Sequence, residues 1–365
     1  MRALVHEGHV PAAELTLADV PLPGAQPGRV QVRVLAASPN PVDWHLYQGA
    51  PRVMRLLRGK GLRRRGWQGV GEDFSGVVDE VGAGVTGFEP GQRVFGTLPA
   101  TAQRGGSMAQ LVSTRADWIT PLPDAVSPTD AAAVPLAGLT ALQALRDSGG
   151  LRAGSRVLVW GSAGGVGHLA VQIAHLLGAG RVDAVCSTRS AEMVRGLGAD
   201  TVFDYTRNQE PTGPYDIVID TVCTAGIPTL RRILSPNGTV VTIGAVGGGR
   251  LLGPGGPLIR RGIGAALTRL RARTVLTDVK ATDLALLGDW LADGSLRVVV
   301  QEIFDLDHAR EAYQVLEAGR VRGKLVVRVA DEDAGTTEAG ASGGADAEAG
   351  APVDGSSDDH DGGCA

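Results

Sequence analysis

The sequence predicts an α/β protein in which an antiparallel, barrel-like β region precedes a doubly wound parallel sheet and an acidic tail closes the chain. Three observations carry this. Val157-Leu-Val-Trp-Gly-Ser-Ala-Gly-Gly-Val-Gly167 joins a short apolar run to a glycine turn, and a helical repeat follows. From there, short apolar strands alternate with helices. Before it, short β-prone runs are separated by turns rich in Pro and Gly. At 365 residues the chain exceeds what one core usually organises, and 43% hydrophobic residues supply material for more than one. The expected division is a β domain over 1–124, a sheet domain over 125–280, a return to the first domain over 281–330 and a tail over 331–365.

Composition excludes several classes. No window approaches the ~18 uninterrupted apolar residues of a membrane span, and Met1-Arg-Ala-Leu-Val5 passes into a polar turn without a signal-peptide core. A cytoplasmic, membrane-independent protein is expected. Cys186, Cys223 and Cys364 are too scattered for a disulfide framework or a metal cluster. The net charge of −4 conceals an asymmetry: residues 331–365 hold ten acids and no Lys or Arg, leaving +6 on residues 1–330. Mostly Ala, Gly, Ser and Thr otherwise, the tail cannot bury enough apolar surface to order itself, so disorder is expected.

Taken in order, the β-prone runs are Arg2 to Val5, Gln31 to Ala36, Phe74 to Val81 and Gln92 to Phe95. Between two of them, Ser38-Pro-Asn-Pro-Val-Asp-Trp-His-Leu-Tyr-Gln-Gly49 packs an amide, a carboxylate, an imidazole and a phenol into one connector. Asp43 there also reads as a helix cap and Trp44 as core, which leaves Asn40, His45 and Tyr47 as the candidates for chemistry. Arg52 to Arg65 carries seven basic residues, a solvated loop or an anion-attracting rim. With sparse aromatics and no recognised motif beside it, nucleic acid is not expected as a partner.

A helix over Ala131 to Arg146 delivers the chain to the glycine turn. Small residues there, Ser162, Ala163, Gly164 and Gly165, let backbone approach a pyrophosphate, whose charge is met by the free N–H groups of the following helix. The second strand ends in Ser187-Thr188-Arg189, where an acid would read a free ribose. Hydroxyls and a guanidinium instead offer donors to a 2′-phosphate, so NADPH is expected. Strands Val202-Phe203, Tyr215 to Val222 and Gly238 to Gly244 follow, with helices near Ala191 to Leu197 and Thr229 to Leu234. Gly247 to Arg273 reads as a mobile substrate-side segment and Thr274 to Val279 as a last strand. Helix Ala281 to Asp293, strand Val298 to Phe304, helix Asp307 to Ala318 and strand Leu325 to Val329 complete the folded part.

Five landmarks in this order resemble the zinc-free, quinone oxidoreductase-like branch of the medium-chain dehydrogenase/reductase superfamily. They are Asn40-Pro-Val-Asp43, Gly71-Glu-Asp-Phe-Ser-Gly76-Val, Ala131-Ala-Ala-Val-Pro135 with Gly138-Leu-Thr-Ala141, Gly161 to Gly167, and Gly323-Lys324. The resemblance implies a GroES-like barrel beside a Rossmann domain, with NAD(P)H in the cleft between. By position it implies Gly164, Gly165 and Val166 at the pyrophosphate, and Ser187, Thr188, Arg189 and Tyr205 around the 2′-phosphate. Asn40, His45, Gly244, Leu276 and Lys324 would lie near nicotinamide or substrate. Zinc-using relatives carry a Cys near position 40 and Gly-His-Glu where this chain has Gly71-Glu-Asp73, so neither of their zinc sites can be built.

The expected activity is therefore hydride transfer from NADPH to a small conjugated carbonyl compound or quinone. Asn40 and backbone N–H groups would stabilise the enolate oxygen, and Tyr47 or water would donate the proton. Open beside this are a zinc-independent alcohol dehydrogenase, a reductive cyclase and a non-enzymatic NADPH-binding protein read by a partner. A homodimer is expected by analogy alone.

Overall fold

The computed structural model describes residues 1–24, 26–49, 66–99, 105–244 and 255–332. The basic run Arg52 to Arg65, the start of the glycine-rich segment after Gly244, Cys364 and all but the first two residues of the acidic tail lie outside them. Residues Met1–Asp331 form one unit with two sheet systems.

The N-terminal system is antiparallel. A small sheet pairs β1 (Arg2–His6) with β2 (Thr16–Asp19) and β4 (Gln68–Gly69). The larger sheet is built on β3 (Arg29–Ser38), which pairs with β5 (Asp73–Val81) and with β7 (Leu111–Arg115). β6 (Arg93–Thr97) and β8 (Ile119–Pro121) extend it beyond β5. Side chains alternate along β3, so Val30, Val32 and Val34 enter the barrel core with Phe74, Val78 and Val94. Register then shifts between Val34 and Ala36, and Ala36 packs outward against Ala132 and Ala133. After the end of β3 comes α1 (Pro41–Tyr47).

That system is a six-stranded parallel sheet. Its strands are β9 (Arg156–Trp160), β10 (Arg181–Cys186), β11 (Thr201–Asp204), β12 (Tyr215–Asp220), β13 (Leu234–Thr242) and β14 (Arg271–Thr274). They lie in the order β11-β10-β9-β12-β13-β14. This order reverses at β9, placing a crevice beyond its carboxyl end, where ligands of such sheets bind. β9 is covered on both faces: Val157 and Val159 share a core with Leu169, Ala170 and Ile173, and Leu158 shares one with Leu230 and Ile233. Each such burial is worth ~1.5–3 kcal/mol, which fixes the turn that follows on a rigid base.

The Ala131 to Arg146 helix is broken. It forms α2 (Pro128–Ala132), α3 (Pro135–Gln143) and a π turn over Ala144–Ser148. Pro135 brings no N–H to the helical ladder, so the chain restarts at that residue. The described part of Gly247 to Arg273 holds α7 (Gly255–Thr268) and β14, after α5 (Ala191–Gly196) and α6 (Ile227–Ile233), and α8 (Ala281–Ala292) follows. The last strand ends at Thr274 rather than running to Val279, because its register partner in β13, Thr242, is the last residue of that strand.

The chain then returns to the barrel. β15 (Val300–Asp305) pairs in parallel with β16 (Lys324–Arg328), and β16 runs antiparallel to β3. Between them α9 (Ala309–Glu317) inserts Ala309, Ala312 and Tyr313 into the barrel core. This return carries Lys324 to the end of β3, beside Asn40.

Candidate active site

The glycine turn is shaped by contacts that exclude a side chain. Gly161 has φ +80°, and a Cβ there would stand 2.3 Å from Thr221 Oγ1. A Cβ on Gly167 would stand 2.2 Å from the Gly161 carbonyl oxygen. At Gly164 the nearest atom to such a carbon is 3.7 Å away, so the turn is open on that side. Gly164 caps α4 (Gly165–Leu176), whose first N–H groups have no partner within the helix. An open cradle at a helix N-terminus fits an anionic group. Val166 lies in the first turn of α4, the Ala163 carbonyl accepts the Gly323 N–H at 2.8 Å, and the buried Ser162 hydroxyl donates to the Val185 carbonyl at 3.1 Å.

His168 fastens this turn to the returning segment. Its Nε2 accepts the Val299 N–H at 3.2 Å, so its Nδ1 carries the proton and donates to the Gly164 carbonyl at 3.0 Å. Burial pulls its pKa down to about 4, with the Lys324 charge adding to the effect.

Lys324 links the turn to the barrel. Its stem lies 3.2 Å from where a Gly165 Cβ would be, and its ammonium donates to Asn40 Oδ1 at 2.6 Å with Asp73 Oδ2 at 3.5 Å. Asn40 is the N-cap of α1, and Asp43 accepts its backbone N–H at 2.8 Å. The Asn40 amide nitrogen donates to Asp73 at 2.8 Å and to the Ser38 carbonyl at 3.3 Å. Both amide hydrogens are thereby committed, so Asn40 holds Lys324 and Asp73 rather than offering a free donor to an enolate. Asp43 also accepts the Tyr313 hydroxyl at 2.8 Å, and Glu72 completes a buried group of three acids and one ammonium.

Burial dominates the electrostatics of this group. It raises Asp43 to about 7, against the opposing Asn40 N–H and Tyr313 hydroxyl. Glu72 is pushed well above the carboxylate range by burial, and the charges of Asp43 and Asp73 push the same way. Asp73 is raised by burial, with the Lys324 charge opposing, while burial lowers Lys324 against the pull of Asp73. Three carboxylates cannot all ionise here around one ammonium, so the group carries protons near neutral pH.

Tyr47 is a correction. It is buried in the barrel core with its ring 5.7 Å from that of Tyr313, and its hydroxyl donates to Glu317 at 2.7 Å. A phenol so engaged, with its pKa raised by burial and by Glu317, is no proton donor to the cleft. His45 is half-buried on α1 and accepts the Trp44 indole N–H at 2.8 Å. Gly244 follows β13 beside the Thr221 carbonyl, while Leu276 is 91% exposed beyond β14.

At the far end of the crevice, Ser187 follows β10 and the Thr188 hydroxyl donates to Asp204. Asp204 also accepts from the Thr206 N–H and hydroxyl, and the Arg207 guanidinium stands 3.6 Å from it. Arg189 donates to the Arg320 carbonyl, and Arg322 donates to the Arg189 carbonyl at 3.4 Å. Tyr205 is exposed beside them. Sequence reading passed over Arg207, Arg322, Glu72 and Asp73 as site residues. Two adjacent acids in an otherwise apolar strand entry, Val70 to Phe74, were the signal for the last pair.

At the same edge of the sheet, Asp220 at the end of β12, in register with Trp160 of β9, pairs with Arg261 of α7 at 2.8 Å, and both are buried. Among the described residues no group of three His, Cys, Asp or Glu side chains is placed to hold a metal, and no helix is long and apolar enough to cross a membrane.

A barrel joined by its returning strand to a doubly wound sheet, with a buried polar group at the glycine turn, is an α/β fold with a GroES-like part and a Rossmann-like parallel sheet. Comparison with known proteins places it further. A profile described as alcohol dehydrogenase GroES-like domain matches residues 26–124, and one described as zinc-binding dehydrogenase matches 197–327. A chloroplast envelope quinone oxidoreductase homolog of Arabidopsis thaliana is 32% identical over 87% of this chain and 94% of its own. A trans-enoyl reductase of Aspergillus terreus is 32% identical over 85% and 90%. The structure of the quinone oxidoreductase from Coxiella burnetii matches with a TM-score of 0.78 at 31% identity, covering 90% of this chain and 99% of that one. The chain belongs to the medium-chain dehydrogenase/reductase superfamily, with quinone oxidoreductase-like relatives, and is an enzyme of that class. Among the described residues no group of side chains is placed to hold the zinc of that profile's description, and Asp73 faces the Lys324 ammonium.

Proposed function

We propose that this enzyme is a zinc-independent, NADPH-dependent reductase of an activated C=C bond, as in an enone or enoyl compound, or of a quinone. The observation that carries the reading is the pairing of an open glycine turn with an arginine-lined strand end in one crevice. When bound, the nicotinamide supplies the hydride. Gly164, Gly165 and Val166 receive the pyrophosphate, in a turn whose shape Ser162 and Ala163 maintain. Ser187, Thr188, Arg189 and Tyr205 serve the 2′-phosphate, joined by Arg207 and Arg322. Asp204 does not compete for a ribose, because Thr188 and Thr206 occupy both its oxygens.

His45, Gly244, Leu276 and Lys324 face nicotinamide or substrate, with Asn40 holding Lys324 in position. Conjugation matters because addition at the β-carbon leaves a delocalised enolate, which needs less help than the alkoxide for which a zinc Lewis acid serves. The relatives named as quinone oxidoreductase and trans-enoyl reductase support both acceptor types. An exposed apolar row on α7, Ile259, Ile263 and Leu267, beside the edge strand β14, supports a homodimer.

The test is NADPH consumption with cyclohex-2-enone and with a benzoquinone, with and without EDTA. Turnover unchanged by EDTA is expected; turnover of saturated alcohols alone, or loss with EDTA, overturns the reading.

A further inference from the structure

The proposed reaction needs a proton as well as a hydride, and the residues first considered cannot deliver it: Tyr47 is bound to Glu317 and both Asn40 amide hydrogens are taken. Beside them, polar atoms are left over. Asp43 Oδ1, Glu72 Oε1 and Ser107 Oγ are buried and find no partner among the described residues. They gather at one end of the barrel. A Cβ on Gly71 would stand 2.5 Å from Ser107 Oγ, Glu72 follows Gly71, and Asp43 and Asp73 act on Glu72 by their charge. An unpaired buried polar atom costs ~1–3 kcal/mol. A fold that concentrates such atoms beside Lys324, whose stem touches the glycine turn, holds donors and acceptors ready for a ligand.

We propose that Glu72, 5% exposed and lacking a partner for Oε1, is the acid that hydrogen-bonds the substrate's carbonyl oxygen and protonates it as the hydride arrives. This rests on the reductase reading of the same site. Its neighbours keep it protonated, since ionising it would add a third negative charge beside Asp43 and Asp73 in a dry site with one ammonium.

The step balances. Hydride forms a C–H bond at the β-carbon, the C=C pair moves to the α-carbon–carbonyl bond, and the C=O pair moves onto oxygen. The Glu72 O–H bond breaks as the enol O–H forms, and the enol rearranges to the ketone in water. The Glu72 carboxylate, now beside Asp43 and Asp73, regains its proton from solvent after product leaves. The donor role replaces a metal's polarising charge by a neutral acid, effective because the site excludes water.

The experiment uses the full chain with Glu72→Gln and Glu72→Ala. In infrared difference spectra near neutral pH, the wild type shows a protonated carboxyl band that both variants lose. Bound cyclohex-2-enone, without cofactor, has its carbonyl stretch lowered below its value in water by the wild type and not by Glu72→Ala. In turnover, Glu72→Gln keeps KM within about threefold and loses ~10²-fold or more in kcat, the worth of a positioned acid. An absent band, an unshifted carbonyl, or full kcat in Glu72→Gln overturns the proposal. A band and a shift without NADPH consumption keep the acid site and overturn the reductase reading instead.

Discussion

Arg189 and His168 show how single side chains divide the work. Arg189 reaches from the end of β10 to the Arg320 carbonyl, so its guanidinium is held at the strand end rather than swinging free. A charge-assisted hydrogen bond is worth ~1.5–3 kcal/mol, so Arg189→Ala is expected to weaken NADPH binding ~10- to 100-fold and leave NADH nearly unchanged. Isothermal titration with both cofactors checks it; equal losses contradict a 2′-phosphate role.

His168 is structural, and its signature is pH. Its folded pKa of about 4 lies below the 6.5 of the unfolded chain, so the unfolded state binds the extra proton between those values. Stability from this residue is complete above the unfolded value and is lost as pH falls towards 4, by up to about 3 kcal/mol. The penalty of His168→Gln, ~1–3 kcal/mol near neutrality, should therefore shrink in urea melts as pH approaches 4. Asn40 and Lys324 each sit in a short landmark that marked them in the sequence, but the bond between them was not legible there. For Glu72 the sequence offered only the adjacent Asp73 as a signal, because Asp43 and Lys324, which share in making its chemistry, arrive from distant places in the chain.

At the scale of elements, the turn between β9 and α4 separates shape from binding. Gly167→Ala drives a carbon to 2.2 Å from a backbone oxygen that cannot yield, and the expected cost is ~3 kcal/mol or more. Gly165→Ala meets the Lys324 stem at 3.2 Å and the Gly323 carbonyl oxygen at 3.6 Å, far looser than the Gly167 contact, so the protein should fold within a few degrees of the wild-type Tm. Cofactor binding should fall ~10-fold or more as the new methyl crowds the cradle. Thermal melts and a binding titration of the pair check both halves. The apolar strand Val157 to Trp160 and the helical repeat after it announced themselves by periodicity, since both are packed on a shared core. The stretch after Gly244 did not. Its Gly and Arg content masks α7, which is anchored by Arg261 on Asp220, a buried ion pair with no local sequence signature.

At the scale of the molecule, two sheet systems share one polar group because the chain goes back. Without β15 and β16, Lys324 would not reach Asn40, and the turn would lose the Gly323 bond to Ala163. The sequence led us to expect a barrel, a parallel sheet and a return towards the first, but not the register of that return, which pairs Val327 with Ala37. The exposed row on α7 makes its own prediction. Sedimentation should find a dimer, and the double variant Ile263→Glu with Leu267→Glu a folded monomer; an unchanged assembly would remove α7 from the interface. Cofactor choice without metal is the property most directly measured. Fluorescence titration with NADPH and with NADH, each with and without EDTA, should give NADPH at least ~10-fold tighter and indifferent to EDTA. Preference for NADH, or binding lost with EDTA, would contradict it.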